Sequence, residues 1–113
     1  MVNPLTCHCK KVKLEVELGD SLNNLVKCNC SICTRRGAIM AIVKSENVKI
    51  IEGKEILKTY QFHTKVAKHF FCSNCGIYTH HNQRRNPELV GINTACLEGV
   101  DKINYKKIKL LDG

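Results

Sequence analysis

Apolar and polar residues alternate along much of this chain with a period of two, which is the period of a β-strand. The clearest case is KVKLEVEL at residues 11–18, where valine and leucine occupy every even position and lysine or glutamate every odd one. Successive side chains of a strand point to opposite faces, so this segment predicts a strand with one buried face. Gly19 and Asp20 then end it, because both residues favour turns.

Further short apolar runs follow at regular spacing, each bounded by turn-forming residues. They lie at residues 38–44, 48–51, 56–62, 65–71, 77–81, 89–94 and 102–111. Runs of this length and spacing are typical of short strands. The runs at 56–62 and 65–71 predict a hairpin around His63 and Thr64.

Helical periodicity is weak throughout the sequence. No window of ten or more residues carries an apolar stripe with a period of 3.6, and we expect only a helical turn or two, near 20–26 or 32–37. The pattern therefore predicts a mainly β fold of short antiparallel strands, with a single domain over residues 1–113.

The composition indicates that the core needs an additional source of stability. The chain has 113 residues with three tyrosines, three phenylalanines and no tryptophan, and small domains with modest cores often depend on disulfides or metal. Eight cysteines could provide either. The first residues, MVNPLTCHCKK, have no apolar run typical of a secretion signal, and no segment reaches membrane-spanning length. We therefore expect a cytoplasmic protein without a membrane partner, whose reduced thiols bind metal.

The net charge gives little support to a nucleic-acid partner. The formal value of +8 comes from 18 Lys and Arg against 10 Asp and Glu. A four-thiolate zinc site carries −2 and a three-thiolate site −1, which would leave about +5. The basic residues are scattered rather than collected in one run, and this favours a solvated basic surface.

Four of the cysteines have spacings that suit one closed metal site. Cys7 and Cys9 are two residues apart, and on an extended segment such side chains point to the same face. Cys72 and Cys75 form a CxxC knuckle, and Gly76 after it suits the tight turn because glycine tolerates positive φ. Together the four sulfurs would make a tetrahedral structural site that ties the start of the chain to a distant hairpin.

The remaining crowded segment, CNCSICTRRG at residues 28–37, supplies only three thiolates, from Cys28, Cys30 and Cys33. A catalytic zinc typically keeps three protein ligands and one open position. This spacing is compatible with a second zinc site that has a vacancy. Cys96 or one of the five histidines could instead close the site, or the cysteines could be divided differently between two sites.

The ordered motifs TCHCKKVKLEVE, CNCSICTRRG, KHFFCSNCGIYTHHNQRRNPE and GINTACLEGVD resemble the glutathione-dependent formaldehyde-activating enzymes and the related centromere protein V domain. The resemblance covers nearly the whole chain and implies a β-tent fold with two zinc ions. It implies a structural zinc on Cys7, Cys9, Cys72 and Cys75, and a second zinc on Cys28, Cys30 and Cys33. It also implies carbon–sulfur lyase activity, in which formaldehyde and glutathione give S-hydroxymethylglutathione. Lys10 and Lys11 depart from the Gly-Ala that often follows the family's first CxC.

An enzyme of this kind would use Cys28, Cys30 and Cys33 as its catalytic centre and would need cations for the two carboxylates of glutathione. Arginine can hold a carboxylate with two parallel hydrogen bonds. The candidate substrate-binding residues are Arg35, Arg36, Arg84 and Arg85. His80 and His81 alternate faces on a predicted strand, so we expect one to pack and the other to approach the second zinc.

Two other hypotheses stay open at this point. The charge and the centromere-protein relatives motivate a non-catalytic zinc-binding module that contacts protein or nucleic acid. A thiol redox sensor built on CNCSIC is a third reading. The sequence does not predict an oligomeric state, because nothing in it identifies an exposed edge strand.

Overall fold

The fold consists of two β-sheets joined by one hydrophobic cluster. The computed structural model describes residues 2–100 and 108–112. Its strands are β1 (Val2–Thr6), β2 (Lys13–Glu17), β3 (Val26–Cys28), β4 (Met40–Lys44), β5 (Val48–Glu52), β6 (Leu57–Tyr60), β7 (His69–Cys72), β8 (Tyr78–Asn82), β9 (Leu89–Asn93) and β10 (Lys109–Leu111). The prediction of a mainly β fold of short antiparallel strands is confirmed.

The smaller sheet has the strand order β1-β2-β5. β1 and β2 are antiparallel, with Leu5 opposite Leu14. Leu14 and Val16 are fully buried, whereas Glu15 between them is exposed. The alternation along residues 11–18 therefore marks the buried face correctly, although the strand itself is shorter than the alternating segment.

The sequence pattern did not reveal β1, because its composition is poor for a strand. Asn3 and Pro4 are both residues that strands disfavour. Pro4 is tolerated here because proline is confined to edge strands and bulges, and β1 lies at the edge of its sheet. Its carbonyl accepts a hydrogen bond from the Glu98 N–H at 2.9 Å, which fastens the strand to a later part of the chain.

The larger sheet has the order β10-β3-β4-β9-β8-β7-β6, antiparallel throughout except for the parallel pair of β10 and β3. The predicted hairpin is confirmed, since β6 pairs with β7 and places Leu57 opposite Cys72. Its connection is longer than expected, over residues 61–68. Of the strand predicted over 102–111, residues 102–107 lie outside the described part of the chain, and Lys109–Leu111 is a strand.

Helical structure in the described residues is short. It comprises the helix α1 (Ser31–Arg36) and single 3-10 turns at Ser21–Asn23, Ser45–Asn47 and Thr94–Cys96, and two of these fall where helical turns were predicted. α1 ends at Gly37, whose φ of 66° suits glycine and whose N–H donates to the Cys33 carbonyl at 2.9 Å. Among the described helices, none has the length and apolar character needed to cross a membrane.

The hydrophobic interior is divided into two clusters. The larger one joins the sheets, with Leu5 and Leu14 from the smaller sheet and Ala41 and Ile92 from the larger sheet all fully buried. The smaller cluster is built on Val26, Cys33 and Met40, next to α1. Cys7 and Cys72 belong to the larger cluster and Cys33 to the smaller one. Each set of cysteines therefore packs against its own hydrophobic cluster.

Candidate metal centres and the adjoining cleft

Four cysteines from two distant segments of the chain form one compact group. The Sγ atoms of Cys7, Cys9, Cys72 and Cys75 all lie within 4.8 Å of one another. The Cys9 Sγ is 3.6 Å from that of Cys7 and 3.7 Å from that of Cys72. A tetrahedral zinc with Zn–S bonds of about 2.3 Å holds its sulfurs about 3.8 Å apart. The group can therefore hold a metal ion, and its spacing is compatible with zinc.

The way Cys7 and Cys9 come together differs from the prediction. The extended segment expected around them is wrong, because β1 ends at Thr6 and Cys9 lies in the following turn. The Lys10 N–H donates to the Cys7 carbonyl at 3.1 Å, and Lys10 has a positive φ of 66°. A tight turn, not the alternation of a strand, aims both sulfurs at one point.

The CxxC segment forms the knuckle that its spacing predicts. The Cys75 N–H approaches the Cys72 Sγ at 3.5 Å, and the Gly76 N–H donates to the Cys72 carbonyl at 2.7 Å. Gly76 has a φ of 80°, which L side chains rarely adopt. N–H groups directed at sulfur favour the thiolate form that a metal requires.

Cys28, Cys30 and Cys33 form the second group, with sulfurs within 4.8 Å of one another. Cys28 ends β3, Cys30 caps the start of α1, and the first turn of the helix carries Cys33 back beside them. In the described part of the chain no other Cys, His, Asp or Glu joins this group. Three thiolates suit a zinc ion that keeps one position for another ligand.

Cys96 belongs to neither group. It is buried, and its Sγ accepts a hydrogen bond from the Asn93 Nδ2 at 3.5 Å. Burial is the main cause that raises its thiol pKa to about 11. Like the other seven cysteines it is a free thiol, and no disulfide is present. Its surroundings are those of a small buried side chain.

A cleft of about 930 Å³ opens beside the three-cysteine group. All three cysteines line it, together with the loop around Phe62 and the C-terminal strand β10. Its cationic side chains are Arg84, Arg85 and Lys109, and Asp112 is the only acidic residue among its described lining. A small-molecule site typically occupies about 300–1,000 Å³. The cleft therefore has the size and charge to receive an anionic molecule next to the sulfurs.

Arg36 connects the three-cysteine group to the wall of the cleft. Its Nη2 donates to the Cys33 Sγ at 3.4 Å and approaches the His69 Nδ1 at 3.3 Å, with Nη1 3.2 Å from the same ring nitrogen. The guanidinium carbon lies 3.7 Å above the ring centre of Tyr78, in cation–π contact. The Nε–H is buried without a partner, which costs about 1–3 kcal/mol. The other contacts must offset that cost and they hold the positive charge beside Cys33.

Two buried histidines stack beside Arg36. The β7–β8 register places His69 opposite His81, and their ring centres are 5.1 Å apart. Burial is the main cause that lowers the pKa of His69 to about 4 and of His81 to about 3, and the charge of Arg36 lowers both further. Both rings are therefore neutral near pH 7 and both line the cleft.

The packing of His81 depends on the absence of a side chain at Gly91. A Cβ at this position would lie 2.7 Å from the Cε1 of His81, closer than real Cβ contacts. The Nδ1 of His81 is hydrogen-bonded to the Tyr78 hydroxyl at 2.6 Å, and that hydroxyl also reaches the Gly91 carbonyl at 3.1 Å. Tyr78 and Gly91 thus fix the orientation of His81 in the cleft wall.

The four arginines expected to bind substrate lie in different settings. Arg84 and Arg85 are exposed and line the cleft, and Arg36 stands behind the three-cysteine group. Arg35 is exposed and donates to the Ser31 carbonyl of its own helix at 2.8 Å. It is not among the residues lining the cleft.

His80 and His81 lie in different surroundings, as expected for neighbours on a strand, and the approach of one of them to a second zinc stays a prediction. His80 stacks on Phe70, with ring centres 4.5 Å apart, while His81 lines the cleft. The sequence analysis gave His69 no part in a site. The pairing register of the strand HFFC with the strand YTHHN would have indicated a role for His69. In that register His69 and His81 are cross-strand neighbours on one face of the sheet.

The fold and the site define a small β protein with two cysteine centres that could hold metal ions, one of them open to a cleft. The chain belongs to the glutathione-dependent formaldehyde-activating enzyme family, whose model it matches over residues 3–109. The resemblance inferred from the cysteine motifs is therefore confirmed.

Two relatives add detail to the family assignment. A Colletotrichum graminicola protein, provisionally named a glutathione-dependent formaldehyde-activating enzyme, is 22% identical over 107 residues. The match includes 91% of this chain but only 56% of that protein, so the chain spans little more than half of its curated relative. The crystal structure of a Rhodobacter sphaeroides protein is similar with a TM-score of 0.88 and 46% identity, covering 95% of this chain and 98% of the other.

Proposed function

We propose that this protein is a zinc-dependent carbon–sulfur lyase that joins glutathione to formaldehyde and yields S-hydroxymethylglutathione. The observation that carries the proposal is the three-cysteine group beside a cleft, with no fourth ligand among the described residues. Membership of a family described by this activity supports it. None of the eight cysteines forms a disulfide, which suits a reducing compartment, and we propose the cytoplasm as the site of action.

Each cysteine group would hold one zinc ion in this proposal. Cys7, Cys9, Cys72 and Cys75 would complete a structural centre, and Cys28, Cys30 and Cys33 would form the catalytic centre. A zinc ion with an open position lowers the pKa of a bound thiol, so it supplies a thiolate nucleophile at neutral pH. Arg36 balances negative charge at this centre, because its guanidinium contacts the Cys33 sulfur directly.

A site for glutathione needs positive side chains to pair with its two carboxylates. These side chains must lie as far from the bound sulfur as the carboxylates do. Arg84 and Arg85 are the foremost candidates because they line the cleft that contains the cysteines. Lys109 of β10 adds a third positive charge to the lining of the cleft. Arg36 is engaged with Cys33 and His69, so we assign it to the catalytic centre, and Arg35 stays a weaker candidate.

Replacing both Arg84 and Arg85 with alanine is expected to raise the KM for glutathione about tenfold, with a smaller change in kcat. A charged hydrogen bond contributes about 1.5–3 kcal/mol, but exposed pairs give less, and about 1.4 kcal/mol corresponds to tenfold. Steady-state kinetics at varied glutathione concentration measure this. Lys49→Ala combined with Lys54→Ala is the charge-matched control, because it also removes two exposed positive charges and neither residue lines the cleft. An unchanged KM in the double variant would remove these arginines from the binding site.

The experiment that tests the function is calorimetric titration of the zinc-loaded protein under anaerobic conditions. Glutathione is the ligand, and S-methylglutathione is the control because its sulfur cannot become a thiolate. We expect heat of binding for glutathione only, followed by catalysed formation of S-hydroxymethylglutathione when formaldehyde is added. Binding of neither molecule, or equal binding of both, would count against sulfur at an open metal position.

A further inference from the structure

The contacts of Arg36 determine which nitrogen of His69 carries the ring proton. A guanidinium has only donors, and both Nη1 and Nη2 of Arg36 lie within 3.3 Å of the His69 Nδ1. The Nδ1 must therefore accept, through its lone pair. A neutral imidazole has one N–H, so the proton of His69 is on Nε2.

The Nε2–H of His69 is left facing the cleft. Among the described residues, the buried side-chain nitrogen and oxygen atoms that lack a partner belong to Asn3, Ser21 and Arg36. The His69 Nε2 is not one of them and has no hydrogen-bond partner among residues 2–100 and 108–112, so we take it to keep access to solvent. His69 lines the cleft, and the solvent that its Nε2 reaches is the solvent of that cleft.

Packing fixes the plane of the His69 ring. One face stacks on His81 with ring centres 5.1 Å apart, and Phe62 stacks at 5.6 Å. The Nδ1 edge is closed by Arg36, whose Nη2 also touches the Cys33 Sγ. One guanidinium nitrogen thus lies between a proposed metal ligand and the ring. The N–H of His69 is therefore preorganised, and the ring lines the same cleft as the three cysteines.

Building on the function proposed above, we propose that the Nε2–H of His69 donates a hydrogen bond to the oxygen of formaldehyde while the carbon–sulfur bond forms. Arg36 acts as a positioning residue, since it selects the tautomer that presents this donor. A fixed donor aimed at the oxygen where negative charge develops stabilises the transition state without reorganisation.

The atoms and charges balance without a further reactant. The thiol loses its proton to solvent on binding, the sulfur electron pair forms the S–C bond, and the C=O π pair moves to oxygen. Water supplies the proton that makes the hydroxyl group, so the net change is addition of R–SH across C=O. His69 keeps its own proton throughout. Its lowered pKa agrees with a neutral donor, because burial, and then the neighbouring charge of Arg36, disfavour a protonated ring.

The first arm of the test compares two substitutions of His69. His69→Phe keeps a ring between His81 and Phe62 but has no N–H, and kcat is expected to fall about 10²-fold with little change in KM, as for loss of an oxyanion donor. His69→Gln places an amide N–H near the former Nε2 and is expected to recover at least about a tenth of wild-type kcat. His80→Gln is the control, because it removes a buried histidine of the same sheet that does not line the cleft.

The second arm reads the tautomer directly. Nitrogen-15 NMR of the zinc-loaded wild type is expected to show His69 protonated on Nε2, and Arg36→Met is expected to give a mixture of tautomers. Zinc content and thermal unfolding of every variant are measured alongside, so that loss of the fold is recognised. A purely structural role for Arg36 would leave the tautomer unchanged.

The outcomes separate this inference from the function on which it rests. If the wild type is active and the activity of His69→Phe stays within about threefold of it, the role of His69 is overturned. The proposed function would still stand. A proton found on Nδ1 in the wild type would have the same two consequences. A folded, zinc-loaded wild type that does not accelerate S-hydroxymethylglutathione formation would overturn both.

Discussion

Replacing Cys30 with serine is expected to abolish turnover while the protein stays folded. The change leaves two thiolates in the three-cysteine group, too few to hold zinc in the arrangement that keeps one position open. Metal-assisted stabilisation is worth several kcal/mol, so a fall of about 10³-fold or more in kcat/KM is expected. The fold should tolerate the change because Cys30 is the N-cap of α1, where serine is among the preferred residues.

Cys96→Ser is the matched control for this substitution. Cys96→Ser makes the same exchange of sulfur for oxygen, at a buried cysteine that lies in neither cysteine group. Turnover, zinc content and thermal unfolding are measured for both variants. We expect about two zinc ions per chain for Cys96→Ser and about one for Cys30→Ser, with near-native unfolding in each case.

Two results would contradict a catalytic second centre. Turnover by Cys30→Ser near the wild-type rate would mean that the three-cysteine group does not perform the chemistry. Loss of turnover with global unfolding would instead make that group a second structural centre, and the cleft beside it would need another explanation.

The sequence predicts the fold well where a local pattern is strong. The alternation over residues 11–18 locates the buried Leu14 and Val16 because one face of β2 packs against the core. β3 was missed because three residues are too few to show a period. β1 was missed because Asn3 and Pro4 oppose strand formation, and pairing with β2 overrides that preference.

The candidate site was predictable to the extent that it is local in sequence. CxxC and CNCSIC each place their sulfurs through a single turn, so spacing identifies them. The joining of Cys7 and Cys9 was inferred correctly, but for the wrong reason, because the turn at Lys10 depends on a positive φ that spacing does not indicate. The pairing of Arg36 with His69 joins α1 and β7, which are far apart in sequence, and only the tertiary fold brings them together.

The two cysteine groups connect different parts of the fold, so we expect their loss to affect stability differently. The three-cysteine group lies on one strand end and one short helix, beside the smaller hydrophobic cluster. The four-cysteine group connects the turn after β1 in the smaller sheet to the end of β7 in the larger sheet. Loss of the four-cysteine group therefore affects how the two sheets are held together.

Replacing Cys72 with serine is expected to leave the protein largely unfolded at 37 °C. Cys72 is fully buried and its Sγ lies 3.7 Å from that of Cys9, so the substitution breaks the proposed structural zinc centre at its most enclosed ligand. Structural zinc contributes about 10–16 kcal/mol of apparent binding energy. The whole stability of a small domain is only about 5–15 kcal/mol, and the core here is modest.

Circular dichroism and calorimetry of Cys72→Ser measure this effect, with Cys30→Ser as the comparison because it also removes one thiolate from a cysteine group. We expect a broad or absent transition for Cys72→Ser and a cooperative one for Cys30→Ser. A strong chelator should unfold the wild type, and added zinc should restore it, since binding and folding are coupled. If Cys72→Ser instead unfolds within a few degrees of the wild type, the sheets are held together by the hydrophobic cluster alone. The four-cysteine centre would then contribute little to the fold.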